Sequence, residues 1–299
     1  MSLYLVSVLT NITLLSFLAI SAYLILIVGE VSFGQQAFFG IGAYSAAMST
    51  SMFGTNLITG LLIGSFLGCA VAVLLACITL RLSGIYFSIA TLTFAELFRL
   101  SMLQVRLKVF NGEEAIGPDG PEGMDSIRWV FENDISGQTF LFASLSVLIL
   151  VIIGLSFAEK SKLFKSARIV GEDPIAAQAL GIRPNHCRLM MIALSGWLAA
   201  FGGGLFAHHI TYIEPSMFGI MLGVHSLAYA VIGGLGTPFG AVLGALVDIG
   251  ILESIRAIAS YRMIVFGGLI AILLIFFPRG MLSPRTVFLF RRWWRKGHA

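Results

Sequence analysis

Charge is what this sequence has least of. Lysine, arginine, aspartate and glutamate together make up 11% of its 299 residues, against roughly 25% in a soluble domain, which excludes an ordinary water-facing globular enzyme. No lysine or arginine precedes Arg81, and Glu30 is the only acid before it. A stretch of that length with one charge cannot present a hydrated surface. Cysteine is sparse too: Cys69, Cys77 and Cys187 show no CxxC spacing, so neither a disulfide framework nor a metal site is indicated. Disorder requires low hydrophobicity and high charge, whereas this chain is 58% hydrophobic with a mean hydropathy of +0.93. Its natural solvent is a bilayer.

Catalytic signatures are missing as well. There is no HExxH and no GxSG, and no lysine follows a glycine, so the phosphate loop GxxxxGK[ST] is absent. His208, His209 and His225 lack the i, i+4 spacing that brings two ligands to one helix face. The reading is therefore a non-enzyme without catalytic or metal-binding residues. The basic surplus, a net charge of +4, lies beside apolar runs as flanks of membrane spans do, and implies no nucleic-acid partner.

Long apolar runs are what the sequence does have. They fall at 3–28, 34–53, 57–80, 85–103, 139–158, 189–209, 217–234, 239–257 and 261–277. The fold class they predict is an all-α polytopic membrane protein of about 8–10 transmembrane helices. The first run is too long, and lacks the basic leader, for a signal peptide. The second, fourth and seventh are rich in Gly, Ser, Thr and Gln, and are expected to be shielded by neighbours or to line a cavity. One transmembrane domain over 1–290 is expected, followed by a basic-aromatic tail at 291–299.

Two loops orient the chain. Residues 104–138 hold seven acids against three bases, and residues 159–188 hold six bases against three acids; six more bases follow from Arg279. The positive-inside rule makes the second loop and the tail cytoplasmic. Counting spans back from there puts the acidic loop and the N-terminus outside.

Glycine is placed with regularity. Gly60, Gly64 and Gly68 recur every four residues, as do Gly240 and Gly244, and Gly202, Gly203 and Gly204 form a run. Small residues at such spacing let helix backbones approach closely in lipid. GGLGTP at 233–238 instead predicts a break or re-entrant turn. SFGQQAFFGIGAYSAA (32–47) and SMFGIMLGVHSLAYAV (216–231) share a polar, small-residue texture, a weak sign of two related halves.

Polar residues within the spans are the candidates for a pathway. Glu96 and Arg99 can pair at i, i+3, and with Ser88 and Thr91 they form a stripe expected to face the bundle interior. That stripe either lines a pathway or locks two helices together. Asp248 lies near the middle of its span without a local partner; it either meets one on another helix or takes part in a relay. Glu253 and Arg256 can pair. Gln35 and Gln36 either hydrogen-bond a polar solute or satisfy neighbouring backbone.

In the basic loop, GEDPIAAQALGI (171–182) carries acids and a proline where a helix starts and Gly181 where it stops. This predicts a short helix of about two turns with Ala176, Ala177 and Ala179 exposed. It serves either to dock into a groove on another protein or to lie on the bilayer.

The stretches SFGQQAFFGIGAYSAA, GIYFSIATLTFAELFR, GEDPIAAQALGI, VIGGLGTPFGAVLGA and FFPRGML occur in this order and cover most of the chain. On them the chain resembles the LivM-type permease subunit of branched-chain amino acid ABC importers. The resemblance implies a multi-pass protein of the bacterial inner membrane, in contact with membrane lipid, that carries amino acids by alternating access. Its partners would be a second, LivH-like permease, two cytoplasmic ATPase subunits and a periplasmic or extracellular solute-binding protein. ATP and Mg would be bound by the ATPases, leaving no cofactor in this chain. It also implies that 171–182 is the coupling helix that seats in the ATPase, with Glu172, Asp173, Ala176, Ala177 and Gly181 at the contact. The chain departs from the family at Gly171, where an arginine is usual, and at FNGEEAIGPDG, where a GG-containing turn is usual. The rival reading, from another class, is a self-sufficient secondary transporter or channel for a small polar solute.

Overall fold

The computed structural model describes residues 3–111, 114–251, 262–276 and 280–282. Glu253, Arg256 and the tail at 291–299 lie outside these residues. Four helices come first: α1 (Leu3–Ile27), α2 (Gln35–Ser51), α3 (Leu57–Thr79) and α4 (Ile85–Gln104). The acidic loop holds an antiparallel ribbon, β1 (Val109–Asn111) with β2 (Glu114–Ile116), and the short helix α5 (Trp129–Glu132). After α6 (Gly137–Ala158) the basic loop folds into α7 (Lys162–Glu172) and α8 (Pro174–Ala179). The chain continues through α9 (Pro184–Ile210), α10 (Ile220–Gly233), α11 (Pro238–Ala245), a π-helical turn (Leu246–Ile251) and α12 (Arg262–Phe276).

Every apolar run thus meets helical structure, and the molecule is an all-α polytopic membrane protein apart from the small ribbon. Among the described residues α1, α3, α4, α6 and α9 are each long and apolar enough to cross a membrane. α10 and α11 with the turn after it pass only together, bent by 119°, which is the break expected at GGLGTP.

Helix α1 lies at the centre, against α6, α9, α10 and α11. Four of its hydroxyls are bonded within the helix: Thr10, Thr13 and Ser16 donate to the carbonyls four residues back (2.8, 2.8 and 2.6 Å) and Ser21 to that of Leu18 (2.7 Å). Helices α2, α3 and α9 pack where side chains are missing. A Cβ on Gly203 would stand 1.8 Å from the Phe39 carbonyl oxygen, one on Gly42 1.9 Å from that of Ala200, and one on Gly68 2.3 Å from the Ala200 Cβ. The same holds across the break, where a Cβ on Gly244 would stand 2.0 Å from the Tyr229 carbonyl. Backbone rests on backbone, and dispersion over these surfaces replaces the hydrophobic effect as adhesive.

The break leaves carbonyls that lipid cannot satisfy. Met281 and Leu282 donate their N–H groups to Ile232 and Gly233 (3.0 and 2.9 Å), and Leu282 accepts from Gly236 N–H (3.1 Å). The chain before α2 is irregular as well. Thr91 of α4 accepts from Phe33 N–H (3.1 Å), and Ser88 donates to the Val31 carbonyl (2.7 Å).

Glu30 is buried at the end of the bundle that carries the basic loop. Arg188 at the start of α9 pairs with it at 2.8 Å, and Gly84 N–H donates to its other oxygen at 2.9 Å. Burial pushes the Glu30 carboxyl up from the ordinary carboxylate range, while Gly84 and Arg188 pull it back. Three connections are thereby pinned at one point: α1 to α2, α3 to α4, and the start of α9. At the opposite end Met124 and Ile213 exchange backbone bonds (2.7 and 3.0 Å), holding the acidic loop on the α9–α10 connection.

Arg188→Ala strands Glu30 in a dry site and is expected to cost about 3–5 kcal/mol; the double variant Glu30→Gln/Arg188→Met should recover most of that loss in unfolding of the detergent-solubilised protein. Gly203→Val should abolish recovery of folded protein, whereas Gly267→Ala, at a site with nothing within 4 Å, should be tolerated.

Candidate functional site

The α4 stripe divides, which corrects the expectation that it faces the bundle interior. Thr91 is buried and, like Ser88, serves the irregular backbone before α2. Glu96 and Arg99 pair with each other on the outer surface of this chain, their side chains 33% and 25% exposed, through two bonds of 3.0–3.1 Å and one of 2.5 Å. Glu96 borders an open cleft of about 630 Å³ with Thr93, Leu97, Leu100, Ser101 and Gln104. A face holding an ion pair, hydroxyls and an amide is not one that lipid covers cheaply.

The two glutamines also part ways. Gln35 is fully bonded: its amide nitrogen donates to Ser195 Oγ (3.1 Å) and to the Ser21 carbonyl (3.5 Å), and its oxygen accepts from Ser32 Oγ (3.2 Å). Gln36 is equally buried, but neither atom of its amide is hydrogen-bonded among the described residues. It lies on α10 where Gly223 makes room, since a Cβ there would stand 2.1 Å from Oε1. Buried amides normally find partners, so Gln36 is a polar group whose whole amide has capacity to spare.

Asp248 sits in the π-helical turn, fully buried. Tyr229 donates to Oδ2 at 2.6 Å and His225 Nδ1 stands 3.2 Å from the same atom, both from α10 across the break. Oδ1 has no hydrogen-bond partner among the described residues. The His225 ring stacks on Phe266 of α12 at 4.1 Å, so one cluster ties α10, the turn after α11 and α12. His225 and Tyr229 were legible as an i, i+4 pair, yet only the fold brings them to Asp248. His208 on α9 is used differently: it bonds Thr50 (2.9 Å) and the Gly204 carbonyl (2.7 Å).

The basic loop folds as its caps dictate. Asp173 accepts from the N–H groups of Ile175 (2.8 Å) and Ala176 (3.1 Å), Pro174 opens α8, and Gly181 ends it at φ +76°. Glu172, Asp173, Ala176 and Ala179 are exposed. Ala177 is not: it is buried against Val170 and Cys187, because α8 turns that face onto α7 and α9. The bulky exposed groups are instead Ile175 (79%) and Leu180 (70%), which flank the alanines and were missed. Gly171 has a physical reason to lack a side chain, since a Cβ there would stand 2.2 Å from the Ile27 carbonyl at the end of α1.

Arg168 of α7, also missed, is the hub of this end. It donates to Glu159 (2.7 Å), to the Tyr23 hydroxyl (3.0 Å) and to the carbonyls of Leu235 (2.9 Å) and Gly236 (3.4 Å) in the break; Tyr23 donates to Glu159 in turn. The basic loop, the central helix and the broken span are therefore joined by one guanidinium.

A helical bundle with a broken span, buried polar groups and an exposed helix between spans defines a multi-pass membrane protein. The family described as branched-chain amino acid transport system / permease component matches residues 4–277, and the chain belongs to it. It is 30% identical over 281 residues to the high-affinity branched-chain amino acid transport system permease protein LivM of Escherichia coli K12, covering 86% of this chain and 64% of that protein. The chain thus spans less than two thirds of that relative's length. It is 27% identical over 187 residues to LivH of the same organism, covering 60% and 55%. Over 107 residues it is 34% identical to the autoinducer 2 import system permease protein LsrC of an Enterobacter, covering 34% and 31%. No solved structure matches.

Asp248→Leu removes the carboxylate that Tyr229 and His225 share and should lower the thermal midpoint of the solubilised protein by several degrees. Asp248→Asn, which keeps an acceptor for Tyr229, should lower it less.

Proposed function

We propose that this chain is the LivM-like permease subunit of a binding-protein-dependent ABC importer for branched-chain or related amino acids. The observation that carries the reading is the capped helix α8, offered outward between two spans with Ile175 and Leu180 uncovered and seated on α7, which itself meets α1 at Gly171 and the break at Arg168. In this reading α8 docks into a cytoplasmic ATPase, so the basic loop and tail are cytoplasmic and the N-terminus outside. Glu172, Ala176 and Gly181 border the contact, Asp173 caps the helix, and Ala177 holds its inner face in place. ATP and Mg belong to the two ATPase subunits.

A LivH-like second permease covers the α4 face with Glu96 and Arg99, and the solute passes between the subunits. Gln36 is the first group to meet it as the helices rock. Gln35 and Asp248 act as fixed points rather than contacts. The acidic loop, with Lys108 paired to Asp119 at 2.5 Å, receives the solute-binding protein. When the ATPases close, α8 moves with them, and Arg168 passes the displacement to α1 and to the broken span as a rigid-body shift.

Tagging the chain and extracting it gently from native membranes tests this. A P-loop ATPase and a second permease in stoichiometric amounts are expected, and Ile175→Asp/Leu180→Asp should lose the ATPase while still inserting. A solitary protein that transports after reconstitution would instead favour a secondary transporter.

A further inference from the structure

Around the Arg168 hub lies a groove of about 800 Å³ to which the importer reading assigns no ligand. Three cations converge on it from separate places: Lys160 at the end of α6, and Lys165 and Arg168 on α7. Two acids also line it. Glu159 is already engaged by Arg168 and Tyr23, and Glu172 is exposed. Lys165 makes no ion pair among the described residues, and Lys160 rests its ammonium over the Phe157 ring at 5.1 Å. Thr237, at the break, adds a hydroxyl.

The other wall is apolar and belongs to the membrane. Ile153 and Phe157 line the groove and continue into the outward face of α6, where Leu150 is also exposed. Between them Gly154 has nothing within 4 Å of where its Cβ would be, which leaves a notch between their side chains. A basic pocket at a helix end, continuous with a lipid-facing track, fits a phosphate with an acyl chain attached. A docked protein would need its apolar contacts outside the bilayer, and these lie along a membrane span.

We propose that this groove is a specific site for an anionic phospholipid. Its phosphate sits among Lys160, Lys165 and Arg168, and one acyl chain lies in the Gly154 notch past Ile153 and Phe157. The site does not depend on the importer reading. Once filled, it sets a negative charge beside the guanidinium that joins the basic loop to the broken span.

Native mass spectrometry of the purified full chain, after delipidation and titration with dioleoyl phosphatidylglycerol, tests the site. One lipid should be retained per chain, and Lys160→Gln/Lys165→Gln should lower the retained fraction at least fivefold. Lys162→Gln, outside the groove, should leave it unchanged. Gly154→Phe, which fills the notch without altering charge, should lower it as well. Equal retention by the double lysine variant, or equal retention of dioleoyl phosphatidylcholine by the wild type, would overturn the proposal. Displacement of the lipid by millimolar inorganic phosphate would overturn it too, in favour of a soluble phosphate ligand.

Discussion

Helices in a bilayer gain nothing by hiding apolar side chains from lipid, so this fold rests on how closely backbones can meet. The contacts of α2 with α9 and of α3 with α9 are made where Gly42, Gly68 and Gly203 leave no Cβ between the chains. Everything polar is arranged around that frame. The hydroxyls of Thr10, Thr13, Ser16 and Ser21 turn back on α1, Ser88 and Thr91 serve the chain before α2, and the residues after α12 close the break. Where the frame would otherwise force a charge into a dry place, a partner arrives from far along the sequence, as Arg188 does for Glu30.

The spans, the break and the capped loop helix were legible because each depends on local chemistry: run length, a glycine–proline cluster, an Asp–Pro start with a glycine stop. What was not legible depends on neighbours. Gln35 and Gln36 are adjacent and chemically identical, yet one meets Ser195 and the other an empty face of Gly223. The α4 stripe is legible as a polar face, yet within this chain Glu96 and Arg99 lie on its outside, because periodicity finds a face and does not say what covers it. Ala177 was judged exposed because α8 is too short for its pattern to reveal which side rests on α7. Arg168 looked like one more positive-inside residue, and only the 119° bend brings the Leu235 and Gly236 carbonyls to it.

The two ends of the bundle are built differently. At the basic-loop end, single residues make many bonds: Arg168 and Glu30 each hold several segments together. At the acidic-loop end, backbone pairing dominates, in the ribbon and in the exchange between Met124 and Ile213. Side-chain hubs can release and reform as units, whereas backbone ladders fix a surface in shape. On the proposed importer reading, that division suits one face that moves and another that is recognised.

Helix α1 carries a last implication, for how the protein is made. It is the most enclosed of the long helices, yet it emerges from the ribosome before the described helices that will enclose it. For a time it stands alone in lipid. Because Thr10, Thr13, Ser16 and Ser21 are each bonded within the helix, these four hydroxyls are satisfied during that interval. Only toward its far end, where the Tyr23 hydroxyl meets Glu159 and Arg168, does the helix draw on partners made later.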